Sequence, residues 1–558
     1  MLAYQKAYKK GKKAANKFKI VTIGSEGAGK TSTIHSLLNK AFQHHQPSTV
    51  GADVNTCTAD RIFAAKWKQI EIQHQLEDLP KQFKSNLKSF ILQIHAKDLE
   101  QTTDKPVVST EAEKEEAEKE LAVKQIPEEQ IPHEIATKVR EVIDTQEVHN
   151  DEIQITILDL GGQEIYYHIH FLFLAQEDVV FIAFNASEDL DQPVVCRQRL
   201  TRFHEKVKTR GMQTNLQTIE TLMQSVYGHC GKAVDGKVYI SNRIPTIILI
   251  ATHSKNLSMQ EKAAIVVKFY KAFDGKPFMD HLPRSTKEAI FFVDNSARDP
   301  QVFEALKAVA LKAAAPTRAK DCPISYLQFE IDILKESQSK AVISKQEASA
   351  IAEKAGLQDN LMEVLNYFTL KGALLYYPEV ESLQNEVFIS PQEVSDLVSS
   401  VISTHNCEPS SAKLQQACYR YDQFGLLEED LLDDMLQTAG RYKDKNTILG
   451  FLEKFHLAVE VSRDTKFDGE KESYTTPKSG RVFLVPSMLV YNPKAIPATQ
   501  KGDIRLSYHF PDLFIPENVF NEVLVKMVYW CNQNGHHVHR WVNENSYLYG
   551  MIVVLFNA

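Results

Sequence analysis

Cysteine is sparse and scattered in this chain. Its seven copies among 558 residues, Cys57, Cys196, Cys230, Cys322, Cys407, Cys418 and Cys531, include no CxxC pair. That pattern argues against a disulfide framework and for reduced thiols. Long apolar runs are also missing, and none reaches the length of a membrane-spanning helix. Excess positive charge is absent: 64 Lys and Arg face 72 Asp and Glu, a net −8, which speaks against nucleic-acid binding by the chain as a whole. There is no internal repeat of solenoid period. The first nineteen residues carry seven lysines and no acid, yet they lack the apolar core of a secretory signal. These absences leave a soluble, cytoplasmic protein of ordinary composition, with 43% hydrophobic and 24% charged residues and room for three or four domains.

What is present has a rhythm. FKIVTIG (18–24) is a short β-branched run, followed by a helical pattern with Ile34, Leu37, Leu38 and Ala41 on one face. IQITILDL (153–160), DVVFIAFNA (178–186), TIILIAT (246–252) and AIFFVDN (289–295) read as further strands, most of them separated by helical segments. Apolar strands alternating with helices predict an α/β domain with a mostly parallel sheet covered on both faces. The basic lead at 1–17 reads as a solvated helix entering it. Residues 66–150 break the rhythm. EAEKEEAEKELAVKQ within them carries six glutamates, so the interval reads as a charged, peripheral insertion with no chemistry of its own.

APTRAKDCP (315–323) marks a boundary. Beyond it, two or three helices lead to a strand pair, the pattern of a winged-helix module. A second helical stretch (410–460) leads to strands near 456–462 and 481–486. LMEVLNYFTLKG offers no dense basic recognition helix, so this region is expected to contact protein rather than DNA. A last block, 500–558, ends as if in mid-domain.

GSEGAGKT (24–31) fits G-x-x-x-x-G-K-[ST] between a strand and a helix. Gly24, Gly27 and Gly29 let the backbone curl so that successive N–H groups face phosphate oxygens, and the helix start adds its positive end. Lys30 would reach the β- and γ-phosphates, and Thr31, followed by Ser32, would offer a hydroxyl to Mg²⁺. Kinases, ATPases and GTPases all remain open on this motif alone. DLGGQE (159–164) narrows the field: Asp159 would hold Mg²⁺ through water, the Gly162 N–H would meet the γ-phosphate, and Gln163 would orient the attacking water. In PSTVGAD (47–53), Thr49 could bind Mg²⁺ and the γ-phosphate, making its loop sensitive to hydrolysis.

In this order the motifs resemble the Ras-like small GTPases, and AYQKAYKKGK and GGQEIYYHIHFLFL are similar to one branch, the Roc domain of Roco proteins. ISYLQFE, LNYFTLKGALLYY, VFISPQEV, VFLVPSML and HFPDLFIPENVFNEVLVKM then resemble the COR region that follows Roc. The resemblance implies a Roc-type GTPase domain at 18–316, a first COR part with winged-helix modules at 321–495, and a second COR part, cut short, at 500–558. It implies GTP and GDP with Mg²⁺ as ligands, hydrolysis by Gln163 and Lys30, homodimerisation through COR, further protein partners, and a signalling or scaffold role.

One position departs from the family. The base-reading loop, T-H-x-D in many Roc domains, reads Thr252, His253, Ser254, Lys255. A carboxylate would accept from the two guanine donors, whereas lysine only donates. The second base loop is kept: Ser296 and Ala297 match the loop whose alanine N–H contacts guanine O6, and Arg298 retains the charge. Two alternatives follow, a nucleotide-binding scaffold without turnover and an adenine-nucleotide ATPase. His536 and His539, near Cys531, resemble part of a metal site but lack further ligands.

Overall fold

The computed structural model describes residues 12–14, 16–44, 49, 52–59, 67–69, 83, 153–162, 170, 173–175, 177–194, 199–200, 206–207, 214–234, 237–240, 245–283, 289–318, 321–402, 411–441, 444–461, 466–468, 473–475, 480–488, 504–505, 517–533, 540–542 and 553–556. A seven-stranded sheet forms the first domain. Its strands are β1 (Lys17–Gly24), β2 (Ala52–Ala59), β3 (Trp67–Gln69), β4 (Ile153–Leu160), β5 (Val179–Asn185), β6 (Thr246–Thr252) and β7 (Ile290–Phe292), in the spatial order β7-β6-β5-β1-β4-β2-β3. β1 pairs parallel with both β4 and β5, and β6 pairs parallel with β5 and β7. β2 runs antiparallel to both β4 and β3.

The strand sequences explain the layering. Alternate residues of β1, β4, β5 and β6 point to opposite faces, and both faces are buried. Ile20, Ile157, Phe181 and Ile250 face α1 (Lys30–Leu37) and α4 (Pro300–Ala313), through Ile34, Leu37, Phe303 and Leu306. Val21, Leu158, Val180 and Leu249 face α2 (Asn215–Cys230) and α3 (Met259–Phe273). α3 begins with a reciprocal cap between Ser258 and Glu261, and α4 with Asp299 ahead of Pro300, both strong helix starts.

Two local expectations change. The interval set off at 66–150 starts with a strand of the sheet itself. Trp67 is buried at its edge with the Lys307 ammonium 5.8 Å from its ring centre, and the aromatic area it buries there outweighs the polar character of its neighbours. In the basic lead, Lys12–Ala14 is a strand paired antiparallel with Asp321–Pro323. That pairing satisfies backbone groups which a solvated helix would have satisfied internally.

The second half holds two copies of one motif. In the first, α5 (Ile324–Glu336), β8 (Val342–Ser344), α6 (Lys345–Lys354), α7 (Leu361–Leu370), β9 (Leu375–Tyr376) and β10 (Glu386–Phe388) form a winged helix with sheet order β8-β10-β9. α8 (Pro391–Val401) connects it to the second, made of α9 (Ala412–Phe424), β11 (Leu426–Glu428), α10 (Glu429–Thr438), α11 (Lys445–Lys454), β12 (Val459–Glu460) and β13 (Val482–Leu484), order β11-β13-β12. A further helix, α12 (Glu517–Gln533), accompanies a three-stranded sheet of Ile504–Arg505, Val553–Phe556 and Arg540–Val542. No helix among the described residues is long and apolar enough to cross a membrane.

The two halves share one buried apolar cluster, which runs from Val21 and Phe184 to Phe388, Val394 and Val398. Polar stitching accompanies it. On α8, Ser395 Oγ accepts from the Ala52 N–H (2.7 Å) and Gln392 Oε1 from the Val54 N–H (3.1 Å), while Gln392 Nε2 donates to the Ala52 carbonyl (2.6 Å). Beside this seam lies a cleft of about 590 Å³, lined in part by Phe18, Thr56, Phe329 and Phe368.

Candidate functional site

Strand register brings the singled-out residues to one edge of the sheet. Thr22 lies opposite Asp159, Gly24 opposite Ala183, and Thr252 opposite Asn185. All sit at carboxyl ends of parallel strands, where open α/β sheets place their ligands. The glycines are there for steric reasons. At Gly24 a Cβ would collide with the Ala183 carbonyl oxygen, and Gly27 and Gly29 have φ of 74° and 75°. L-residues rarely adopt that left-handed conformation.

Lys30, at the start of α1, is buried, and its Nζ donates to the carbonyls of Gly24 and Ser25, each at 3.0 Å. Burial pulls its pKa down to about 8, against the pull of Asp159 and Glu26. Gly162 closes over it: a Cβ there would strike Lys30 Nζ and lie 2.7 Å from the Ser25 carbonyl oxygen. Beside them, Thr31 Oγ1 donates to Asp159 Oδ2, and Thr49 Oγ1 does so at 3.2 Å; the two hydroxyls are 3.1 Å apart.

Asp159 is almost wholly buried, and burial pushes its carboxyl above the usual range against Lys30 and the two hydroxyls. Its Oδ1 has no hydrogen-bond partner among the described residues. A buried carboxylate with an orphaned oxygen and two convergent hydroxyls fits a hard divalent cation with oxygen ligands. Ser32 lies half-buried next in the helix, its carbonyl accepting from Ser36 Oγ. Gln163 falls outside the described residues, as do His536 and His539.

The two base loops also meet the P-loop. Thr252 is fully buried, its Oγ1 2.8 Å from the Ala28 carbonyl oxygen and 2.9 Å from His253 Nδ1. His253 itself is left-handed (φ 57°); its side chain and those of Lys255, Ser296 and Ala297 are exposed. Asp294 supports the second loop by accepting from the Ser296 N–H and hydroxyl (2.9 and 2.6 Å). Burial opposes its ionisation, but Ser296, the Ala297 N–H and the Lys255 cation outweigh that and hold its carboxyl below the usual range.

Sequence reasoning passed over two residues here. Buried Asn295 donates to Thr33 Oγ1 (3.1 Å) and accepts from Ser36 Oγ (3.3 Å), tying the second base loop to α1. His170 has its Nε2 3.0 Å from the Gly161 carbonyl oxygen. Burial pulls its pKa down to about 3. The available signal was the pair of histidines at the head of the otherwise apolar run HIHFLFL.

A parallel sheet with a P-loop at the end of its central strand, and a threonine and an aspartate flanking it, defines a Ras-like P-loop domain. Residues 19–96 match the family model "Ras of Complex, Roc, domain of DAPkinase", and residues 323–489 match "C-terminal of Roc, COR-A domain". The chain thus carries a Roc domain followed by a COR region, the Roco-type GTP-binding architecture. It is similar to the probable serine/threonine-protein kinase pats1 of Dictyostelium discoideum, 20% identical over 405 residues that cover 68% of this chain. The match spans about a tenth (10%) of that relative's length. Among solved structures it is similar to Methanosarcina barkeri Roco2 RocCORdC bound to GDP, with a TM-score of 0.46, 13% identity, and coverage of 86% of this chain and 97% of that one.

Proposed function

We propose that this chain binds GTP and GDP with Mg²⁺, hydrolyses GTP to GDP, and self-associates through COR in a signalling or scaffold role. The observation that carries the reading is the convergence of Lys30, Thr31, Thr49 and Asp159 around one point beneath Gly162. Lys30 would contact the β- and γ-phosphates, and the Gly162 N–H the γ-phosphate. Thr31, Thr49 and, through water, Asp159 would hold Mg²⁺, which would supply positive charge to the phosphates. Gln163, by its place in DLGGQE, would orient the attacking water. The Ala297 N–H would meet guanine O6. Lys255 favours a second reading, an adenine-nucleotide site or a scaffold without turnover, because adenine N1 accepts where guanine N1–H donates.

Side-by-side binding of GTP, GDP and ATP with and without Mg²⁺ separates these readings. Gln163→Leu is expected to slow single-turnover hydrolysis by about 10²-fold or more while leaving GTP affinity nearly unchanged. Undetectable turnover by the unaltered protein would favour the scaffold instead.

Self-association has its own support. Tyr529 and Trp530 on α12 are 58% and 45% exposed, aromatic area of the kind enriched at protein interfaces. Light scattering at micromolar concentration is expected to give twice the mass of one chain. A monomer under those conditions counts against COR-mediated pairing.

A further inference from the structure

We infer that His170 sets the plane of the Gly161–Gly162 peptide and so aims the Gly162 N–H at a terminal phosphate, making it a positioning residue that favours triphosphate over diphosphate. This rests on the nucleotide-binding reading above and adds a residue to which that reading gives no part.

The geometry is a short chain of rigid links. His170 is almost wholly buried, with Nε2 3.0 Å from the Gly161 carbonyl oxygen. A carbonyl oxygen only accepts, so Nε2 carries the proton. That oxygen belongs to the same planar peptide unit as the Gly162 N–H, and in a trans peptide the two point in opposite directions. Holding the oxygen toward His170 points the N–H, within the same plane, in the opposite direction. Gly162 itself lies against the P-loop, where a Cβ would come within 2.8 Å of the Glu26 nitrogen and strike Lys30 Nζ. A γ-phosphate cradled by that loop would be within reach of this N–H, whereas a diphosphate would not extend to it.

His170 is held in its turn. Its carbonyl accepts from the Phe173 N–H at 3.1 Å. The Phe173 carbonyl accepts from Lys19 Nζ at 2.6 Å, and Lys19 pairs with Asp178 at 3.1 Å. Asp178 Oδ2 in turn accepts from the Ala175 N–H at 2.7 Å. Lys19, Phe173 and Asp178 are all buried, so the imidazole is anchored to β1 and to the start of β5 rather than to a surface loop. Burial also keeps the ring neutral, with a single tautomer able to donate to Gly161.

A residue that merely fills space would affect both nucleotides alike, and this is what the test separates. Full-length His170→Phe keeps a ring of similar size and removes the donor. Full-length His170→Gln returns an N–H at similar reach. The probes are GDP and the non-hydrolysable analogue GppNHp, both with Mg²⁺. His170→Phe is expected to weaken GppNHp about tenfold, the scale of one hydrogen bond to a charged group. GDP affinity should stay within twofold, and His170→Gln should restore most of the GppNHp affinity. Equal loss for both nucleotides, no loss for either, or a glutamine variant that behaves like phenylalanine overturns the inference.

Should the variants fail to fold, ¹⁵N-glycine labelling of the unaltered protein decides. The Gly162 amide proton should shift downfield when GppNHp replaces GDP, and an unmoved resonance overturns the inference. An unaltered protein that binds neither nucleotide sinks the binding reading itself. Binding with an unchanged GppNHp-to-GDP ratio in His170→Phe sinks only the role of His170.

Discussion

Lys255→Asp is expected to raise GTP affinity by about 10²-fold and to leave ATP affinity flat or lower. The substitution puts two acceptors where guanine presents N1–H and its exocyclic amine. Two charge-assisted bonds at roughly 1.5–3 kcal/mol each span about 10²–10⁴ in affinity. The structure favours the lower end of that span. Lys255 sits exposed in the turn after β6, so solvent screens any new pair. It also helps keep Asp294 ionised, and a carboxylate in its place would repel that neighbour. Asp294→Asn alongside Lys255→Asp should relieve the repulsion, provided the asparagine still accepts from Ser296. Titration with GTP and ATP reads the result, and Mg²⁺ dependence should be unchanged because the phosphate groups are untouched. A GTP affinity within twofold of the original would mean that Lys255 does not face the base.

Lys30→Ala is expected to abolish binding of GTP, GDP and ATP alike, by at least about 10²-fold, since it deletes two charge-assisted contacts to phosphate oxygens. The unliganded fold should tolerate the change. Among the described residues Lys30 hydrogen-bonds to the carbonyls of Gly24 and Ser25, and burial already disfavours its charge enough to lower its pKa to about 8. Removing a desolvated ammonium relieves that cost as it loses those bonds. Calorimetry should therefore show a melting temperature close to the original, together with flat titrations for all three nucleotides. Near-original affinity for any of the three would make the P-loop reading untenable.

How much of this was legible in the chain depended on whether the signal was local. Gly24, Gly27, Gly29 and Lys30 declared themselves because a phosphate cradle needs those residue types at fixed spacing between a strand and a helix. β1, β4, β5 and β6 were legible because strands buried on both faces read as unbroken apolar runs. β2 was not. ADVNTCTA carries Asp53, Asn55, Thr56 and Thr58 and has neither a clean alternation nor the unbroken apolar run of the central strands, so it reads as loop. The winged-helix pattern was readable from the succession of helices and strand pairs. The stitching of α8 to β2 was not, because Gln392 and Ser395 lie more than 330 residues along the chain from their backbone partners. Asn295 and His170 were passed over for a similar reason: what each does depends on a distant carbonyl or hydroxyl that only folding brings near.

That seam between α8 and β2 changes what the domain boundary near residue 316 means. Ala52 and Val54 follow Thr49 by only a few residues, and the groups completing their backbone hydrogen bonds belong to the COR half. The apolar cluster runs unbroken across the same line. A cut at the sequence boundary would remove the partners of the Ala52 and Val54 backbone and expose part of the shared apolar cluster. In the vocabulary of mechanics the junction is a weld rather than a hinge: a load applied to α8 is borne directly by β2, the strand that follows Thr49 in the chain.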